Sequence, residues 1–173
     1  MKTKNQFLTI VMGVSGTGKS SVGQTLAKTN EWVFLEADDF HSKAAKDRMA
    51  SGQPLNHAMR GPWIERICAA LETHCVQGSS VVLSCSALSA LHRDQFRATT
   101  YPNCIFLFLN GPKEVIAQRM AARKNHFMPA ALLDSQFEAL DWPTDEADVI
   151  EISIEQSLDA VIAEALKSIS RTP

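Results

Sequence analysis

Gly13-Val14-Ser15-Gly16-Thr17-Gly18-Lys19-Ser20 is the stretch whose reading decides the fold. It fills every fixed position of G-x-x-x-x-G-K-S/T, the phosphate-binding loop. Ahead of it, Phe7-Leu8-Thr9-Ile10-Val11-Met12 is the short apolar run of a strand covered on both faces. Behind it, residues 20–28 read as a helix with Val22, Leu26 and the small Ala27 on the inner side. Strand, glycine turn and helix start together make an anion site, because free backbone N–H groups and the positive end of the helix dipole converge there. Lys19 is long enough to reach terminal phosphates, and the Ser20 hydroxyl suits the oxygen shell of Mg²⁺. The competing reading, a chance glycine-rich turn, leaves the flanking strand and helix unexplained. Gly13, Ser15, Gly16, Thr17, Gly18, Lys19, Ser20 and Ser21 are therefore the expected nucleoside triphosphate set, with Ser20 on the metal.

Composition limits what the chain can be. Its 173 residues suit one domain over 1–173, and 45% hydrophobic with 21% charged residues is ordinary for a globular protein. A net charge of −2 with no basic run argues against a nucleic-acid surface. No apolar run approaches 20 residues and no leader pattern is visible, so no membrane partner is expected. Cys68, Cys75, Cys85 and Cys104 lack C-x-x-C spacing and read as free thiols, which places the chain in a reducing cytoplasm.

Strand and helix signals alternate along the chain, the pattern of an α/β fold with a mainly parallel sheet. Strands are expected at 32–36, 80–84, 104–109 and 149–152, the 104–109 run being the most apolar and expected at the sheet centre. Helices are expected at 43–50, 60–76, 92–98, 112–123, 130–140 and 157–169, with Pro62 in the first turn of the second. Ligands of such sheets bind beyond the carboxyl ends of the strands. Glu36, Asp38, Ser84, Ser86 and Ser89 are candidates on that ground. Asp38 serves either as acceptor of a substrate hydroxyl proton or as a helix cap, a role also open to Asp39 and Ser42. Arg119 and Arg123 lie four apart on one helix face, either as cations over the phosphates or as a solvated basic face. Trp63 and Trp142, each beside a proline, read as packing residues. No N-K-x-D guanine-reading motif is present.

Several separated segments together carry a resemblance. The phosphate loop resembles G-V-S-G-S/T-G-K-S, and Asp38-Asp39-Phe40-His41 resembles D-D-F/L-H. Met49-Ala50-Ser51-Gly52-Gln53-Pro54-Leu55, followed by Arg60-Gly61-Pro62-Trp63, is similar to M-x-x-G-x-P-L-x-D-x-x-R-x-P-W. Cys85-Ser86-Ala87-Leu88, with Arg93-Asp94 and Arg97, is similar to C-S-A-L-K-x-x-Y-R-D-x-L-R. Arg123, His126-Phe127-Met128, Leu132-Leu133, Ser135-Gln136-Phe137 and Leu140 resemble the lid that follows. The chain resembles the small P-loop gluconokinases, relatives of shikimate and adenylate kinases, over nearly its full length.

That resemblance implies a three-layer α/β/α sandwich of about five strands, with a helical lid at about 119–140. It implies MgATP-dependent phosphorylation of D-gluconate to 6-phosphogluconate, and a homodimer. Lys19, Asp38 and Arg123 become the catalytic expectation, and Arg119 and Arg123 join the ATP set. Asp38, His41, Arg60, Arg93, His126 and Gln136 become the substrate contacts, Arg60 as the carboxylate partner. The chain departs from the family with Ser89 for a lysine, His57 for an aspartate and Asn125 for a glycine. Those departures keep open a kinase for another sugar acid or polyol, or a binding regulator that has lost catalysis.

Overall fold

The computed structural model describes residues 5–123 and 130–171. Strands β1 (Phe7–Met12), β2 (Val33–Glu36), β3 (Val81–Ser84), β4 (Asn103–Asn110) and β5 (Val149–Ser153) form one sheet. Their order is β2-β3-β1-β4-β5, and every neighbouring pair is parallel. Parallel neighbours cannot be closed by a tight hairpin, so helices supply the crossovers. These are α1 (Lys19–Asn30), α2 (Lys43–Ala50), α3 (His57–Val76), α4 (Ala90–Arg97), α5 (Lys113–Ala121) and α6 (Ala130–Glu138), while α7 (Leu158–Ser170) follows β5.

Period-two alternation sends the residues of β1 to both faces. Leu8, Ile10 and Met12 meet Ile64, Ile67 and Leu71 of α3 and Phe96 of α4. Val11 meets Val22 and Leu26 of α1, Ile116 of α5, and Val161 and Ala165 of α7. Two apolar layers around one sheet make the expected α/β/α sandwich. They also explain the uninterrupted apolar run of β1, since neither face is wet.

Two local expectations are corrected. The central strand is β1, not β4. Both are interior strands buried on two faces, so apolarity does not rank them. Helix α3 begins at His57, where the Asn56 side chain accepts the Met59 N–H at 3.0 Å, so Pro62 lies beyond the first turn. The preceding Gly61 has no Cβ for the proline ring to meet, which eases that placement.

From β1 the chain runs through α1 to β2 at one edge and back to β3 beside β1, then crosses to β4 on the other flank. That reversal opens a crevice beyond the carboxyl ends of the strands. Residues 13–18 leave β1 at that point.

Candidate active site

The phosphate loop is shaped by backbone conformation that side chains would obstruct. Gly13 sits at φ +142°, and a Cβ there would come 2.6 Å from the Leu109 carbonyl oxygen. Gly18, at φ +94°, caps α1 without any side-chain bond, leaving the helix's first N–H groups facing the crevice. Val14 carbonyl accepts from Thr17 Oγ1 at 2.9 Å and from Lys19 Nζ at 3.0 Å, which folds the lysine back over the loop. Burial pushes the Lys19 ammonium below the ordinary 10.5, opposed by the negative charges of Asp38 and Glu36. An anion seated on the loop supplies the charge this site lacks. The cradle thus fits phosphate.

A cavity of about 420 Å³ opens beside the loop. Ser15, Gly16, Gly18, Lys19 and Ser20 line one end, and Asp38, His41, Arg60, Arg123 and Gln136 line the rest. A second cleft of about 240 Å³ runs along the outer side of the loop and takes in Thr17, Ser21, Arg119 and again Arg123. Arg119 also donates to the Ile154 carbonyl at 2.6 Å, which fixes its guanidinium against that cleft. Gly13 turns beneath the loop and lines neither. His126 lies outside the described residues.

Asp38 occupies a 3-10 turn, Ala37–Phe40, directly after β2. Its carboxylate is 66% exposed, and Ser42 is the residue that caps the next helix, accepting the Ala45 N–H at 3.1 Å. That leaves Asp38 aimed at the cavity. His41 stands 3.9 Å from it and stacks on Trp63, with ring centroids 4.3 Å apart. Burial, reinforced by Arg66 and Lys46 against the pull of Asp38, holds His41 below the usual histidine range.

Arg93 is corrected. It is fully buried and lines neither opening. Its Nε and one Nη2 N–H donate to Glu146 at 2.9 and 2.6 Å, and its remaining donors meet the carbonyls of Ala87 (2.8 Å), Leu88 (2.9 Å) and Asp141 (2.8 Å). No donor remains for a substrate. Ala87 has φ +45°, a left-handed conformation costly for a residue with a Cβ, so Arg93 braces the strained turn that carries Ser86 and Ser89 to the cavity wall. Of the departures, Ser89 lines the cavity and His57 does not.

Three side chains to which the sequence assigned no ligand-binding role are in the site. Glu36 accepts from the Ser20 hydroxyl at 2.5 Å, and Ser84 Oγ lies 3.5 Å from the same oxygen. This all-oxygen group suits a hard divalent cation. Trp63, expected to pack, forms part of the cavity wall, oriented by its Nε1–H donating to the Ala37 carbonyl at 2.8 Å. His92 is the third. Cys85 also borders the cavity, but burial pushes its thiol up to about 12, which excludes a thiolate nucleophile near neutrality.

A phosphate cradle with its lysine, an acid at the next strand end and arginines over one enclosed space define a P-loop kinase, a phosphotransferase acting on an alcohol group. The AAA domain family model matches residues 8–143. The gluconokinase of Gluconobacter oxydans is 40% identical, over 96% of this chain and 93% of its own. Among solved structures, a gluconokinase from Sinorhizobium meliloti 1021 superposes with TM-score 0.85 at 38% identity, covering 94% of this chain and 91% of that one. A sugar kinase from Janibacter sp. gives TM-score 0.89 at 36% identity, with 95% of each chain covered. The chain belongs to the gluconokinase family.

Proposed function

We propose that the chain transfers the terminal phosphoryl group of MgATP to D-gluconate, giving 6-phosphogluconate. The observation that carries this is the single cavity shared by Lys19, Ser20, Asp38, Arg60 and Arg123. Donor and acceptor groups must lie in one enclosed space for direct transfer.

Loop residues 13–21 would hold the phosphates of MgATP and Ser20 with Glu36 its metal, which would supply positive charge to the phosphoryl group being transferred. Arg119 and Arg123 lie toward the nucleotide side. Arg60 takes the gluconate carboxylate in a bidentate grip. Asp38 accepts the proton of the attacking hydroxyl, and His41, Gln136 and His126 contact the remaining hydroxyls. Lys19 and Arg123 balance charge that develops on the transferred group. The chain acts as a single kinase domain with a lid at 119–140, supported by Arg123 and Gln136 facing the cavity.

The free thiols Cys68, Cys75, Cys85 and Cys104 support a reducing cytoplasm. Homodimer formation follows the family resemblance, and the exposed apolar Val76, Leu91 and Trp142 are consistent with a contact surface. Neither a nucleic acid nor a membrane is expected as partner, since net charge is −2 and no described helix is long and apolar enough to cross a bilayer.

The short neutral Ser89 on the cavity wall favours, as second reading, another sugar acid or a polyol as acceptor. ADP release, measured with MgATP and a panel of gluconate, other aldonic acids, glycerate, polyols and shikimate, tests both. Preference for gluconate is expected. Preference for another compound replaces it, and no release from any leaves a binding protein.

A further inference from the structure

His92 is 9% exposed and lines the cavity, yet among the described residues it forms no hydrogen bond. Its ring meets the edge of Trp63 at 6.5 Å and 85°, which fixes the imidazole plane without occupying either nitrogen. One turn earlier on the same helix, Ser89 sits at the N-cap position of α4 but makes no capping bond. The Asp141 carboxylate does that work, accepting the Ala90 N–H at 2.9 Å. A largely buried imidazole and a released hydroxyl therefore stand together on one wall, their polar atoms open to the cavity and able to meet a ligand there.

The charges around His92 set what it recognises. Arg60 and His57 face it from α3, Arg93 from its own helix, and Asp141 from the loop after α6. Burial and the first three hold the imidazole below the usual histidine range, against the pull of Asp141. Near neutrality it is uncharged, with one nitrogen donating and the other accepting. Arg60 is the cation beside it. A carboxylate on Arg60 brings the next carbon of the acceptor, and its hydroxyl, to this wall.

We infer that His92 and Ser89 form a specificity site for the hydroxyl adjoining the acceptor carboxylate. The inference rests on the sugar-acid reading above. The site takes one class of ligand, 2-hydroxy acids carrying a polyol chain, and discriminates against analogues lacking that one hydroxyl.

The test is steady-state kinetics of the full chain with MgATP on gluconate and on the same acid lacking the hydroxyl next to the carboxylate. The wild type should show KM about tenfold lower for gluconate, in the range one or two neutral hydrogen bonds support. His92→Phe keeps a ring on the wall and removes both nitrogens. It should raise the gluconate KM about tenfold, leave the KM for the deoxy acid and for ATP within about twofold, and so abolish the discrimination. His92→Gln should restore part of it. Ser89→Ala, which removes one oxygen, should weaken the discrimination about threefold and serves if His92→Phe does not fold. Unchanged discrimination in both variants overturns the inference, as does a parallel rise in the KM for ATP. If the wild type prefers a different polyhydroxy acid, the gluconate reading fails and the comparison is made with that acid and its deoxy analogue. Turnover of no such acid overturns both.

Discussion

Gln136 closes on Ser15: its Oε1 accepts the Ser15 N–H at 2.7 Å, and its Nε2 donates to the Ser15 hydroxyl at 3.2 Å. The two residues are 121 positions apart, one on α6 and one in the phosphate loop. The amide so occupied is one of the donors that a bound phosphate uses. Nucleotide must therefore take this amide from the glutamine, and the glutamine then becomes available to the acceptor. Gln136→Ala should tighten nucleotide binding by two- to tenfold, about 0.5–1.5 kcal/mol, while raising the acceptor KM. Calorimetric titration with ADP and a steady-state acceptor titration read the two effects separately. Weaker ADP binding would show that the contact assists the nucleotide instead.

Lys19 is charged only against the opposition of its burial, and a phosphate on the loop relieves that opposition. The sign follows directly. A lysine depressed when free and raised when bound takes up a proton on ATP binding at alkaline pH. Affinity should consequently fall as pH rises through the free Lys19 ionisation, which lies below the ordinary 10.5. Titrations in buffers of different ionisation enthalpy measure that uptake. Lys19→Ala should lose the uptake and about a hundredfold or more of kcat/KM. Equal uptake by the variant would assign the proton elsewhere.

Asp38 stands free of any capping role, since Ser42 holds the N-terminus of α2. Its carboxylate is therefore committed to the cavity. Asp38→Asn should lower kcat by about a hundredfold or more, the range of a lost general base, and leave the KM for ATP within about threefold. Turnover near the wild-type level would reduce Asp38 to a hydroxyl anchor.

The parts of this site legible in the sequence are those whose reasons are local. Gly13 to Ser20 needs only its own backbone and the adjoining strand and helix, and it lies where the pattern puts it. Asp38 needs only the end of β2. Arg93 had no such reason on its face, because its partners Glu146 and Asp141 are 53 and 48 residues away and its other acceptors are backbone carbonyls. An arginine that braces a turn and one that grips a carboxylate look alike in a motif. Trp63 and His92 were hidden for a related cause: packing and lining are the same residue choice until the cavity behind them is seen. The Ser20 bond to Glu36 was nearer the surface, since both the hydroxyl and the strand-end acid were visible and only their pairing was missing.

The brace under the cavity wall has its own pH signature. Hydrogen bonds first from Arg93 and then from Arg97 hold the Glu146 carboxyl at about 2, well below its ordinary 4.5. Its side chain is only 21% exposed, so solvent screens the pair weakly. A carboxyl depressed on folding adds stability that is complete above its unfolded value of 4.5 and fades as pH falls toward about 2. At about 1.4 kcal/mol per pH unit the fading amounts to about 3 kcal/mol. Urea unfolding midpoints taken from pH 6 to pH 2 should decline across that window. In Glu146→Gln the decline should be shallower by that amount. The same variant should be less stable at neutral pH by about 3–5 kcal/mol, because Arg93 is left buried without its counter-charge. Ala87→Gly bears on the turn itself: a glycine adopts φ +45° without strain, so placed in the Glu146→Gln background it should recover part of the lost stability. A decline of the same slope with and without Glu146 would locate the acid sensitivity outside this pair.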